Sequence, residues 1–328
     1  MRLQHLLSGW FKDWQSAVRN GWNQFWFTPR PVGVLVYMRL LFGGLLLYSH
    51  LVLAIDLDSC VGDEAWVNQE VARSLHDGEF GLNSGGWSYL WHLRSPNAIW
   101  MHHLLTLVIT AGFTCGFLTR FTAPLSWFLQ VMYVHRLTGA LFGFDQIVTY
   151  GVMYLMISPC GNQLSVDSWL RRKFRKRIEA SRFLSWLFPS DDLSVSATMT
   201  TRMFQCHLCV IYLFGGLSKA RGITWWDGTA TWYAISNYEY QSMDLTWLSN
   251  YPVFLSVLTT VTLVWELSYC ALVWPRLSRP IVLFLAVLVH SGIALFLGMA
   301  TFGIAMIAAN ACFLETGGSK DFATIHSD

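Results

Sequence analysis

Within one apolar stretch, MTTRMFQCHLCVIYLFGGLSKARGITWWDGTATW at 199–232, the residues Arg202, Gln205, Cys209, Tyr212, Gly216 and Lys219 recur every three or four positions. That spacing stacks them on one side of a helix. Ionisable groups in membrane helices are rare and face a bundle interior or a cavity. Lys219 has two readings. It is an interfacial lysine whose stem lies along apolar surface, or it is a functional amine. Held unprotonated, such an amine is a general base. Trp225, Trp226 and Asp227 follow in a loop dense in tryptophan and glycine. With Tyr212 they are candidates for shaping a substrate pocket.

Other apolar runs carry their own chemistry. Asp145 opens the run in LFGFDQIVTYG. It reads as a helix N-cap or first-turn acid, or as a carboxylate facing the same cavity as Lys219. His135 and Arg136, Glu266, His290 and Arg39 sit in separate runs. Each alone reads as structural pairing, such as Arg39 or Arg136 with Glu266. Together with Arg202 they imply a polar interior, whether a site or a conduction path. His102 and His103 are adjacent and point to different helix faces, a poor metal pair. Cys206-His207-Leu208-Cys209 is one C-x-x-C match without a second pair, and zinc needs three or four ligands. No metal site is expected, and no phosphate loop, nucleophile elbow or zinc-protease motif is present.

The elements that position these residues are apolar helices. The chain has 328 residues, 54% hydrophobic and only 13% charged, against roughly 25% charged in soluble domains. A net charge of +2 is too small to argue for nucleic acid. Residues 1–30 read as an amphipathic interfacial segment, with Leu3, Leu7, Trp10, Trp14 and Val18 at helical spacing and Pro29 and Pro31 ending it. No secretory signal peptide is expected. The seven cysteines are scattered and do not form a disulfide framework.

A span needs about 20 apolar residues. Eight apolar runs follow, near 33–55, 98–118, 122–141, 145–159, 198–219, 252–274, 280–298 and 299–314, the fourth and eighth of them short. The boundary between the last two rests on glycines around Gly298 and Gly303. The expected fold is an all-α polytopic membrane bundle of about eight transmembrane helices. The basic run Arg171, Arg172, Lys173, Arg175, Lys176, Arg177 belongs in the cytoplasm by the positive-inside rule. Counting spans from it places both termini inside, with 315–328 as a short cytoplasmic tail. The acidic loop 56–97 and the aromatic loop 221–251 then fall outside. Their aromatics suit an interfacial belt or a lid over an outward-facing cavity.

FDQIVTYGVMYLMISPCGNQLSVD at 144–167, IYLFGGLSKARGITWWDGTATWYA at 211–234 and HSGIALFLGMATFGIAMIAANACFL at 290–314 together resemble a known family. It is the horizontally transferred transmembrane (HTTM) domain family, which shares the transmembrane domain of vitamin K-dependent gamma-carboxylases. The resemblance spans 31–314. It implies a lysine base for a hydroquinone, at the place of Lys219, and a reduced, vitamin K-like quinone as cofactor. Two departures stand out. Where the carboxylases carry a histidine, this chain reads Gly143, Phe144, Asp145. The large lumenal domain is also missing, so peptide carboxylation by this chain alone is not expected.

Two classes of function follow. One is a bacterial inner-membrane enzyme acting on a quinol or other lipid-soluble small molecule, with Lys219 and Asp145 catalytic. Tyr212, Trp225, Trp226, Asp227, Arg136 and His135 would then line its site. Arg39, Arg202, Gln205, Glu266 and His290 would supply the buried polar setting. The other class is non-enzymatic, a transporter or channel-like protein, or a partner in maturation of a secreted peptide.

Overall fold

A computed structural model describes residues 2–76, 85–188, 190 and 193–314. Asp77, Glu79 and the tail 315–328 lie outside the described residues, as do the side chains of Leu3 and Leu7. Among the described residues there is no strand, only an isolated antiparallel bridge between Arg30 and Ser194.

The longer helices are α1 (Arg2–Phe27), α2 (Gly33–Leu53), α3 (Pro96–Cys115), α4 (Thr119–Arg136) and α5 (Gly143–Leu155). They continue as α6 (Val195–Ala220), α7 (Pro252–Leu272), α8 (Arg279–Phe296) and α9 (Ala300–Asn310). Local chemistry sets their ends. Pro96 and Pro252 open α3 and α7, where a missing N–H costs nothing. The Ser194 hydroxyl accepts from Ala197 N at the start of α6. Gly298 takes φ +66 between α8 and α9, a conformation that favours glycine.

Four segments are long and apolar enough to cross a membrane: 33–61, 96–115, 252–272 and 279–296. The other four expected runs are helical but fall short in length or apolarity. α5 has 13 residues and α9 has 11, or about 20 and 16 Å of rise against a hydrocarbon core of about 30 Å. α4 carries Arg120 and Arg136 with Pro124 inside it. α6 is 26 residues long, with Arg202, Gln205, His207 and Lys219 along it.

The helices alternate in direction from α2 to α9. α2 and α6 start together at the Arg30–Ser194 bridge and run in the same direction, with the Phe42 and Phe204 rings 5.7 Å apart. The described parts of the loops after them, 54–76 with 85–95 and 221–251, therefore share the opposite end of the bundle. α9 returns to the starting end, where Gln205 Nε2 donates to Cys312 O at 2.8 Å. α1 lies against α6 at that same end. Its Trp10, Trp14, Val18 and Trp22 are exposed, an unburied stripe that suits a membrane interface.

The main core runs through α2, α5, α6, α7, α8 and α9, around Phe42, Val148, Leu155, Phe204, Tyr269 and Met306. Outward faces are apolar instead of charged: Val108, Val253, Phe284 and Leu295 are all exposed. Gly303, expected as a helix breaker, lies inside α9. A Cβ there would stand 2.5 Å from His290 O and 2.7 Å from Ala294 Cβ. Gly303→Ala should therefore push α8 and α9 apart and lower stability by about 1–3 kcal/mol. Thermal unfolding in detergent measures this, and an unchanged midpoint would mean the helices part freely.

Candidate functional site

At the far end of α6, Lys219 Nζ donates to both oxygens of Glu266 on α7, at 2.9 and 2.7 Å. The lysine side chain is 31% exposed and the carboxylate 10%. The Trp225 ring covers Lys219 Nζ at 5.5 Å from its centroid, a cation–π distance. Glycines make room for the pair. A Cβ on Gly216 would lie 3.1 Å from Leu267 N, so the small residue lets α6 and α7 approach at this level. Gly215 faces Glu266 and Lys219 themselves.

Deeper in the bundle, Tyr212 OH meets His290 Nε2 at 2.8 Å and accepts from Asn310 Nδ2 at 2.9 Å. Tyr269 OH donates to Asn310 Oδ1 at 2.7 Å. These four side chains come from α6, α7, α8 and the end of α9, and all are nearly fully buried. Towards the starting end, Arg202 donates to Gln205 Oε1 at 2.7 Å and to Phe25 O at 3.1 Å. Its guanidinium lies 4.2 Å from the centre of the Phe25 ring. The face of α6 read from the sequence is thus a polar column against α7, α8, α9 and α1, buried at Gln205, Tyr212 and Gly216 and half-buried at Arg202, Cys209 and Lys219.

Several candidates have other work. Arg39 does not pair with Glu266. It donates to Cys160 O at 2.7 Å and Leu164 O at 2.6 Å. Arg136 does not pair with Glu266 either. It donates to Val61 O at 3.0 Å, Gly62 O at 3.2 Å and Val67 O at 2.9 Å. Both arginines bind backbone carbonyls at chain turns, and Glu266 is held by Lys219. His135 Nδ1 donates to Trp87 O at 2.8 Å. Asp145 Oδ2 accepts from Phe142 N at 3.1 Å, the helix-cap reading of that residue. Asp227 Oδ1 accepts from Thr229 N and Oγ1, at 2.9 and 2.6 Å, and so shapes a turn. Trp226 is exposed and donates to Ala220 O at 2.8 Å, tying the loop to the end of α6. Of the aromatic loop, Trp225 is the residue that reaches Lys219.

Sequence reasoning passed over Asn310 and Tyr269. An asparagine in the apolar run AMIAANACF was the available signal, since buried amides are hydrogen-bonded. It also passed over Asp167, which is buried and accepts from Leu118 N, Thr119 N and Thr119 Oγ1 at 2.7–2.9 Å. A cavity of about 600 Å³ opens elsewhere, at the α1 end, lined by Arg276, Arg279, Leu283, Phe284 and Phe313. All seven cysteines are free thiols. Among the described residues no three metal-ligating side chains converge.

Four helices able to cross a bilayer, apolar outward faces and a polar interior are consistent with an integral membrane protein. No family model, no curated protein and no solved structure matches this chain.

Proposed function

We propose that the chain is an HTTM-type membrane enzyme whose Lys219–Glu266 pair takes a proton from a hydroquinone or similar lipid-soluble acid. The observation that carries this reading is the two-oxygen contact between Lys219 Nζ and Glu266, roofed by Trp225 and partly open at one end of the bundle. An ammonium alone cannot act as a base. With the carboxylate 2.7 Å away, Lys219 can pass its proton to Glu266 as its amine takes one from the bound hydroxyl. The products are an ammonium, a neutral carboxylic acid and an oxyanion held beside the ammonium. Such charge pairing at the developing anion lowers the barrier. The sequence resemblance over 144–167 and 211–234 supports the same residue.

In this reading α2–α9 all lie in the bilayer, and the short α5 and α9 are shielded by their neighbours. The alternating direction of the eight helices supports it. The basic segment 171–177, Arg276 and the start of α2 share one end, which the positive-inside rule assigns to the cytoplasm of a bacterial inner membrane. Lys219 then faces the extracytoplasmic side.

The test uses the full chain in nanodiscs with menadiol. Trp fluorescence reports binding and ultraviolet absorbance reports deprotonation. Lys219→Ala should abolish deprotonation, and Lys219→Arg should retain binding while losing it. Wild-type deprotonation in Lys219→Ala would remove the catalytic role. The buried column Tyr212–His290–Asn310 favours one rival, proton-coupled transport. That rival calls for flux into liposomes that His290→Ala reduces and Lys219→Ala leaves intact.

A further inference from the structure

A second cluster of titratable side chains lies in the other half of the bundle, away from Lys219. Tyr89 OH and His102 Nε2 are 2.6 Å apart, and His102 Nδ1 and Tyr133 OH are 3.2 Å apart. Tyr133 OH and His103 Nδ1 are 2.8 Å apart, and His103 Nε2 lies 2.9 Å from His50 O. The two histidines differ by about 100° around α3, yet both reach the single hydroxyl of Tyr133 on α4.

The direction of every bond follows from the last one. A backbone carbonyl only accepts, so His103 Nε2 carries hydrogen. In a neutral ring His103 Nδ1 then accepts, and Tyr133 must donate to it. Tyr133 has one proton, so its oxygen accepts from His102 Nδ1–H. His102 Nε2 is left as the acceptor for Tyr89 O–H. All four groups are thus ordered head to tail, from the half-buried Tyr89 in the 54–95 loop to the fully buried His103.

We infer that this chain is a proton wire whose terminus, His103, is a second proton-binding site of the protein. A proton from the medium adds to the Tyr89 oxygen as the Tyr89 proton moves to His102 Nε2. His102 Nδ1 passes its proton to Tyr133, and Tyr133 passes its own to His103 Nδ1. The chain gains one proton and every bond reverses except the last. The imidazolium formed at His103 donates to Tyr133 and to His50 O. Burial holds the Tyr89 phenol above its ordinary value, which keeps the wire's first proton in place.

The groups facing His103 are few. From α2 comes His50, whose ring lies 5.7 Å away, and from α4 comes Tyr133. On α3 itself are His102 and Trp100, and Trp100 Nε1 donates to Asp58 of the 57–61 turn at 3.2 Å. Asp58 therefore lies one residue removed, and Arg136 is committed to carbonyls. The inference is independent of the Lys219 reading.

The test is ¹⁵N-histidine NMR of the full chain in nanodiscs, with assignments from single His→Gln variants. At neutral pH His103 should be the Nε2–H tautomer and His102 the Nδ1–H tautomer. After a rapid pH drop, time-resolved infrared absorption should show His103 gaining a proton about tenfold more slowly in Tyr133→Phe than in the wild type. His103 found as Nδ1–H overturns the inference, as does equal uptake in a folded Tyr133→Phe. Should that variant not fold, the wild-type tautomers decide the matter alone.

Discussion

Lys219→Met is expected to destabilise the protein more than Glu266→Gln, by about 2–3 kcal/mol against about 1 kcal/mol. The asymmetry follows from exposure. Removing the lysine leaves a carboxylate whose side chain is only 10% exposed without its counter-ion. Removing the charge of Glu266 leaves an amide oxygen that still accepts from Lys219, and the lysine is 31% exposed and can turn to water. The double variant Lys219→Met/Glu266→Leu should recover to within about 1 kcal/mol of the wild type, because no buried charge is left alone. Denaturant unfolding in nanodiscs measures all three. Equal costs for the two single variants would mean that solvent already screens the pair. The cycle also bears on the chemistry, since a pair that water screens cannot hold an oxyanion tightly.

Arg136→Lys should cost about 2–4 kcal/mol despite keeping the charge. Arg136 is fully buried and its fork reaches three carbonyls on the 57–68 segment: Val61, Gly62 and Val67. A lysine ammonium is a point donor on a shorter reach and leaves part of that set unmet. The segment should then be cut first in limited proteolysis, ahead of the 221–251 loop. A wild-type cleavage pattern would show that other contacts hold the segment.

The helices were legible in the sequence because their signals are local. Hydropathic runs place α2, α3, α7 and α8, and Pro29 and Pro31 end α1. The polar face of α6 was legible for the same reason: periodicity shows which residues share a side. It does not show what that side meets. Glu266 is 47 positions from Lys219, and helical spacing alone could equally have set it against Arg39 or Arg136. Those two arginines were misassigned because their partners are carbonyls, which every residue carries. Asp145 illustrates a different limit. Both of its readings were physically sound, and the bond from Phe142 N supports the cap reading. Asn310 was passed over because it bears no charge, though its amide joins Tyr269 to Tyr212.

The two ways of holding a polar group in this bundle differ in what they demand of neighbouring positions. Arg39 and Arg136 grip backbone oxygens, so what they ask of residues 61, 62, 67, 160 and 164 is the path of the turn and not a particular side chain. What limits those positions is packing, since Val61 and Cys160 are buried and a Cβ on Gly62 would meet Asp58 O. The Tyr212–His290–Asn310–Tyr269 set instead depends on four side chains from four helices, each matched to the next. The arginine contacts themselves therefore survive a change of partner side chain wherever packing allows one. Within the tyrosine–histidine set a single exchange strands its neighbours, so that set can change only through concerted replacement.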